Sequence, residues 1–352
     1  MKESLHLLNE GRGPCGPFIK KQEVNPCLTA STELEYDCPL QGKRINWEEK
    51  DVFNPAAVVY EGKVQLLYRA EDTVGQYAGT SRIGLAVSED GYHFTKRPQP
   101  VLAPGFDDYK NLEWDGGCED PRVVEDNNGT FFMSYTAFDG HLARLCMATS
   151  TDLVNWTKHG LAFGRAKEGK YSGLWSKSGS IVCEAQGDRL IAKKIGGKYW
   201  MYWGESNVYA ATSDNLIDWT PYERHTDARR LLNLDNVPGG AVNEKGDAYI
   251  YPVFTTRQGR FDSCLVEPGP PAVWTEKGIV FLYNCSNHST EGDPSLAPGT
   301  YAPGQIVLDA LDPTVVVSRC TQPFLLPELD YEISGQTMNT CFIEGLVFFG
   351  GK

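Results

Sequence analysis

The stretch Asp120-Pro121-Arg122-Val123-Val124, followed across a turn by Phe131-Phe132-Met133-Ser134-Tyr135, decides how the chain is read. Two β-rich runs of strand length flank Asp126-Asn127-Asn128-Gly129, which is hairpin punctuation. The unit recurs. Asn54-Pro55-Ala56-Ala57-Val58-Val59-Tyr60 turns at Glu61-Gly62 into Val64-Gln65-Leu66-Leu67-Tyr68. Ala192-Lys193-Lys194-Ile195 turns at Gly196-Gly197 into Tyr199-Trp200-Met201-Tyr202-Trp203. Ala272-Val273-Trp274-Thr275 turns at Glu276-Lys277-Gly278 into Ile279-Val280-Phe281-Leu282-Tyr283, and Asn339-Thr340-Cys341-Phe342-Ile343-Glu344-Gly345 opens a fifth unit. The starts lie roughly 65–75 residues apart, enough for a four-stranded blade with its loops. Helix signals are scarce. The expected fold is all-β, a five-bladed β-propeller.

The second halves of the units repeat as well. Ala86 to Phe94, Ala148 to Trp156 and Ala211 to Trp219 share one form: a strand, a Ser/Thr-x-Asp turn, then an aromatic residue. The aspartate caps the turn and the aromatic is expected to pack between blades. Residues 1–50 lack this periodicity and read as an N-terminal extension on the outside of a propeller spanning 51–352. Residues 220–266 exceed the blade period and read as an insertion, with a small hairpin from Ala248 to Thr255. The sequence stops at Lys352, just after the fifth unit's turn. That blade is expected to be incomplete at the C-terminus unless N-terminal strands complete it.

Composition narrows the partners. The chain has 352 residues, 41% of them hydrophobic, so it can bury a sizeable core. Its formal charge of −13 argues against nucleic acids and anionic membranes, which demand basic patches, and leaves neutral substrates such as sugars. Ten cysteines form no CxxC pair, six histidines lie far apart, and HExxH is absent. No metal site and no cofactor are expected, and the thiols read as free and buried. The first residues carry no apolar leader segment, and no window is long and apolar enough to span a bilayer. The compartment stays open: cytoplasmic as the chain stands, periplasmic or secreted if a leader has been removed. A homo-oligomer is compatible with the sequence.

In a propeller the inner strands converge on the axis, and the loops at one mouth form a funnel. Residues opening the inner strands therefore meet in space. Those positions hold Asn54, Asp120, Glu205 and Glu267, with Arg69, Glu71 and Asp72 ending the next strand of the first unit. A carboxylate before Pro121 has a restricted backbone. Carboxylates crowded on an axis separate in pKa, which suits one for acid and another for base work. Glycoside cleavage needs such a pair, with arginine and asparagine on the sugar hydroxyls. Trp114, Trp175 and Trp203 fit core packing as well as sugar stacking.

These residues carry a resemblance. Asn54-Pro55-Ala56, Leu67-Tyr68-Arg69-Ala70-Glu71-Asp72, Arg82-Ile83-Gly84-Leu85, Glu119-Asp120-Pro121-Arg122, Lys194-Ile195-Gly196-Gly197, Pro268-Gly269-Pro270-Pro271 and Leu308-Asp309-Ala310-Leu311-Asp312-Pro313 occur in order. Together they resemble glycoside hydrolase family 130, the β-mannoside phosphorylases and β-mannosidases on a five-bladed propeller. The resemblance implies that Asp120 is the general acid, acting in the phosphorylases through a sugar hydroxyl. It implies that Asn54 and Arg69 grip the mannosyl unit, and that Asp309 is a further site carboxylate. Asp72, Arg122 and Tyr283 complete the expected substrate-binding set.

Two departures from the family pattern bear on the nucleophile. Its phosphorylases carry a His-Arg pair after the third unit's strand and a Tyr-His after the fourth, for inorganic phosphate. Here those places read Trp203-Gly204-Glu205-Ser206 and Tyr283-Asn284-Cys285. Replacing a cation by a carboxylate about 4 Å from phosphate changes binding by several kcal/mol at an effective dielectric near 20. No basic cluster is evident to compensate, Lys177 and Lys193 being the candidates left, and phosphate is expected to be rejected. The sequence therefore leads to an inverting exo-β-mannosidase acting on β-1,2-linked manno-oligosaccharides. Asp120 would supply the proton and Glu205 or Glu267 would activate water, about 6.5–9.5 Å apart. The alternatives are a phosphorylase that transfers mannose to phosphate and a carbohydrate-binding propeller without catalysis. A sialidase is disfavoured, because its Asp-box glycine and its three arginines have no match.

Overall fold

Alternate residues of the strands face different blades, and this explains the folding pattern. In a computed structural model, which describes residues 13–73, 79–225 and 248–352, Val123 and Phe131 pack into one core while their neighbours Val124 and Phe132 pack into the next. Ile181 and Val182 divide in the same way, as do Met201 and Tyr202. A strand rotates each successive side chain to the opposite face. Strands apolar on both faces must therefore be covered on both, and stacking sheets radially covers them. This is why the inner strands read as continuous apolar runs.

Blade I comprises β3 (Asp51–Tyr60), β4 (Lys63–Glu71), β5 (Ser81–Ser88) and β6 (Thr95–Lys96), after an N-terminal hairpin of β1 (Ser31–Cys38) and β2 (Lys43–Glu48). Blade II repeats the antiparallel plan with β7 (Gly117–Glu125), β8 (Phe131–Phe138), β9 (Ala143–Ser150) and β10 (Thr157–Leu161). In blade III the inner strand is β11 (Ser180–Gln186). The next two, β12 (Arg189–Ala192) and β13 (Lys194–Ile195), lead to β14 (Lys198–Trp203), β15 (Tyr209–Ser213) and β16 (Trp219–Pro221). Beyond it β17 (Glu223–His225) pairs with β18 (Ala248–Ile250). Blade IV contains β19 (Leu265–Pro268), β20 (Ala272–Thr275), β21 (Gly278–Ser286), β22 (Tyr301–Leu308) and β23 (Val316–Arg319).

The fifth sector closes the ring between blades IV and I. Thr340 bridges Tyr301 in parallel, and Asn284 clasps the backbone of Ile343. Five residues on from Thr340, Gly345 presses on blade I. A Cβ there would stand 2.8 Å from Ala57 and from the Pro55 carbonyl, so only glycine admits the contact. The architecture is an all-β five-bladed β-propeller, as the repeat suggested.

Ala248–Thr255 is not a hairpin; β18 pairs back to β17, and Phe254 bridges Val208. Of the expected insertion, residues 226–247 lie outside the described residues, as do 1–12 of the expected extension. The β1–β2 hairpin packs on blade I through Trp47, stacked 6.2 Å from Tyr68, rather than on the fifth blade. The Asp turns do cap as read: Asp152 accepts the amides of Val154 and Asn155, and Trp156 donates to the Leu153 carbonyl. In the third such turn Asn215, not Asp214, takes the capping position. All ten cysteines are free thiols, and Cys264 alone is exposed.

Candidate active site

Asn54, Asp120 and Ser178 open the inner strands of blades I, II and III, and all three have left-handed backbones, with φ of +46°, +48° and +57°. The pairing register slips at the same place in blades I and II, between Phe53 and Ala56 and between Glu119 and Arg122. Proline ordinarily drives the preceding residue to extended backbone. Here a bulge overrides that preference and turns both side chains toward the axis. Such conformations cost about 1–3 kcal/mol each and persist where the surroundings dictate them.

The side chains so aimed form one cluster. Asn54 Nδ2 donates to Asp120 Oδ1 at 2.8 Å, and Arg69 Nη1 reaches the same oxygen at 3.1 Å. The other arm of Arg69 binds Glu71 at 2.6 Å and Glu119 at 3.0 Å. Lys177 Nζ lies 3.6 Å from Glu119 and 3.8 Å from Asp120. On the far side Ser178 Oγ donates to Glu267 Oε2 at 3.0 Å, and Tyr301 donates to its other oxygen. Glu205 accepts from Trp175 Nε1 at 3.0 Å, and that indole is 46% exposed, open enough to meet a ligand.

The charges separate as crowded acids must. Burial alone would raise Asp120, but Arg69 and Lys177 hold its carboxyl well below the usual range, helped by Asn54. In Glu119 burial prevails over the same two cations and moves the group upward. Burial also pushes Glu267 up to about 7, against Lys177 and with Glu205. Glu344, the fifth blade's buried acid, is raised well above its ordinary value by burial, opposed by Arg122.

Several expected site residues stand elsewhere. Glu205 does not open an inner strand. It follows β14, one strand outward, and Lys177-Ser178 holds the axial place in blade III. The hairpin at 192–203, which the repeat spacing puts at that blade's start, lies outward of it. The signal for the true start was the short apolar run Ile181-Val182-Cys183 after Ser178-Gly179. Asp72 is buried in an ion pair with Arg82 at 2.7 Å. Arg122 is buried too, and its guanidinium donates to the Gly269 and Pro268 carbonyls at 2.7 and 2.8 Å. Tyr283 is in the blade IV core, its hydroxyl on Asp262 at 2.8 Å. Asp309 caps the turn after β22, at the end of blade IV opposite Glu267. None of these four faces the cluster as a sugar ligand. Glu344, in the fifth unit, is axial as well, and its place is not legible from the sequence because that unit has no local pairing partner among the described residues.

Known proteins match this chain along most of its length. A 1,2-beta-oligomannan phosphorylase of Thermoanaerobacter sp. is 27% identical over 349 residues, 95% of this chain and 93% of that protein. A beta-1,2-mannobiose phosphorylase of the same organism is 28% identical over 326 residues, 87% of this chain and 85% of that protein. One solved structure is 44% identical with a TM-score of 0.85, covering 94% of this chain and 87% of that one. It is described by the statement that a family of mannoside phosphorylases contains glycoside hydrolases targeting β-1,2-mannosidic linkages in Candida mannan.

The named activity of the curated relatives overturns the expectation that water is the nucleophile and phosphate is rejected. The physical reason lies in the cation inside the cluster and in the raised pKa of Glu267. Glu205 is turned to Trp175, Glu267 is only about half ionised near pH 7, and Lys177 stands inside the cluster. The model of the family described as beta-1,4-mannooligosaccharide phosphorylase matches residues 20–352, and the chain therefore belongs to glycoside hydrolase family 130.

Proposed function

We propose that the chain is a β-mannoside phosphorylase, moving the terminal mannosyl unit of a β-1,2-linked manno-oligosaccharide to inorganic phosphate. The observation that carries this reading is the pair of cations, Lys177 and Arg69, on either side of Asp120. The names of the curated relatives support it.

Asp120 is ionised in the free protein, so it has no proton to give until something weakens the grip of its cations. A hydrogen phosphate ion beside Lys177 does this twice over. It competes for the ammonium and adds negative charge near the carboxylate, and both effects raise the carboxyl's pKa. The phosphate oxygen then attacks C1 of the mannosyl unit as the C1–O glycosidic bond breaks. The departing sugar oxygen takes a proton through Asp120, and hydrogen phosphate supplies that proton in balance. Asn54 and Arg69 fix the carboxylate for the transfer. Glu267, about half protonated near pH 7, contributes a hydrogen-bond donor to the anion rather than a second full charge.

The test is product analysis on β-1,2-mannobiose with and without phosphate. The expected products are mannose 1-phosphate and mannose, with turnover saturating in phosphate. Release of mannose alone at the same rate in phosphate-free buffer would overturn the proposal.

A further inference from the structure

Glu344 is buried, both of its carboxyl oxygens lack a hydrogen-bond partner among the described residues, and Oε1 lies 3.6 Å from Arg122 Nη1. A buried acid left this way ordinarily destabilises a protein. Its place explains its presence. Arg122 joins three parts of the axis: Nη1 reaches the Asp120 carbonyl at 3.3 Å, Nε the Gly269 carbonyl at 2.7 Å, and Nη2 the Pro268 carbonyl at 2.8 Å. It ties the backbone under Asp120 to the backbone just after Glu267. Glu344 backs the same guanidinium from the fifth blade.

The fifth blade's segment is itself registered by Asn284. The Asn284 amide donates to the Ile343 carbonyl at 2.8 Å and accepts the Ile343 amide at 2.8 Å. These two bonds leave Glu344 facing Arg122. Asn284 occupies one of the places where the family's phosphate-binding pattern fails in this chain. Its side chain instead holds the C-terminal segment at Ile343 against blade IV.

We propose that Asn284, Glu344 and Arg122 form a positioning relay across the axis that sets the separation between Asp120 and Glu267. Glu344 works as a neutral acid. The charged groups around it are Arg122, Asp120, Glu267 and Arg69. An ionised Glu344 would neutralise Arg122 and repel both Asp120 and Glu267. A neutral one fills the space beside Arg122 and leaves its charge directed at the site. The proposal takes the Asp120–Glu267 pair from the functional reading above, but it does not depend on which nucleophile accepts the mannosyl unit.

The experiment follows β-1,2-mannobiose consumption against pH, with thermal melts, for the full chain and its Glu344→Leu and Glu344→Gln variants. Glu344→Leu is expected to lower kcat at least tenfold with KM within about twofold, since misplacing a reacting group by about 1 Å costs up to a hundredfold. Glu344→Gln keeps a neutral polar head and is expected to recover most of that loss, with the pH midpoint near 7 unmoved. Wild-type kcat in Glu344→Leu would overturn the relay. A downward shift of the midpoint by a unit or more in Glu344→Gln would overturn the neutral acid, since removing a counter-ion would free Arg122 to stabilise the ionised form of Glu267. If Glu344→Leu fails to fold, Arg122→Lys reads the same strut: the charge stays, the fork is lost, and the same fall in kcat is expected, while wild-type kcat refutes it. Wild-type cleavage that needs no phosphate would sink the phosphorylase reading and leave every one of these comparisons measurable.

Discussion

Lys177 Nζ lies 3.8 Å from Asp120 Oδ2, a cation from blade III against the axial acid of blade II. It is also 3.6 Å from Glu119, and those neighbours raise its pKa despite burial, so it is charged throughout the physiological range. Lys177→Met keeps most of the side chain's length and removes the charge. On the proposed function, KM for phosphate should rise by one to two orders of magnitude, roughly what losing one close charge–charge contact implies. Binding of the mannosyl unit should change less. Initial rates over a phosphate series, at saturating mannobiose, test this. A variant with unchanged KM for phosphate would remove Lys177 from the anion site.

Asp120 is held by Asn54 and Arg69 on one oxygen, so its direction is fixed before substrate arrives. Asp120→Asn preserves the shape and cannot cycle a proton. Turnover should fall by about 10²–10⁴, the usual contribution of one positioned acid–base group. Asn54→Ala should fall less, because Arg69 still orients the carboxylate. Single-turnover rates separate the two, and a fall in KM alone for Asp120→Asn would contradict the role.

Asp72 contributes to stability rather than to the substrate site. Its carboxylate is fully buried and meets Arg82, itself only 1% exposed, at 2.7 Å. Removing one member of a buried ion pair leaves the other charge unpaired and costs about 3–5 kcal/mol. Asp72→Ala should therefore lower the melting temperature and the denaturant midpoint. The KM of the protein that remains folded should be unchanged. A wild-type melt together with a large KM effect would return Asp72 to the substrate site.

The repeat was legible because it is local: a run, a turn and a second run appear within a few residues, and their apolar spacing predicts burial on both faces. That logic places Asn54, Asp120 and Glu267 near strand ends of β3, β7 and β19, and Arg69 near the end of β4. Residues that meet only through the closed ring were misplaced. Lys177-Ser178 sits before an apolar run too short to compete with the stronger hairpin at 192–203. Glu344 needs the fifth sector, whose registration depends on Asn284, a residue sixty positions earlier. Arg122 adjoins the axial acid in sequence, yet its guanidinium points across the ring to Gly269 and Pro268. Sequence position located the backbone at the axis; it did not reveal which way each side chain was turned.

Glu267 supplies a test in pH. Burial first, then the nearby Glu205, lifts it from an ordinary 4.5 to about 7, and Lys177 only partly opposes this. Between those values the folded protein holds a proton that the unfolded chain releases. Its contribution is therefore full below about pH 4.5 and declines as pH rises to about 7, a total of roughly 3 kcal/mol at most. Glu267→Gln cannot ionise and escapes the decline. Its melting temperature should exceed that of the wild type by a few degrees at pH 8 and approach it at pH 5. The same protonation should govern anion affinity. In the wild type KM for phosphate should climb as pH passes 7, beyond what the titration of phosphate itself explains, and Glu267→Gln should flatten that rise. A catalytic base would behave in the opposite way, with activity gained as Glu267 ionises and abolished in Glu267→Gln. Melts at pH 5 and 8, with a phosphate series at each pH from 6 to 8, decide between the two.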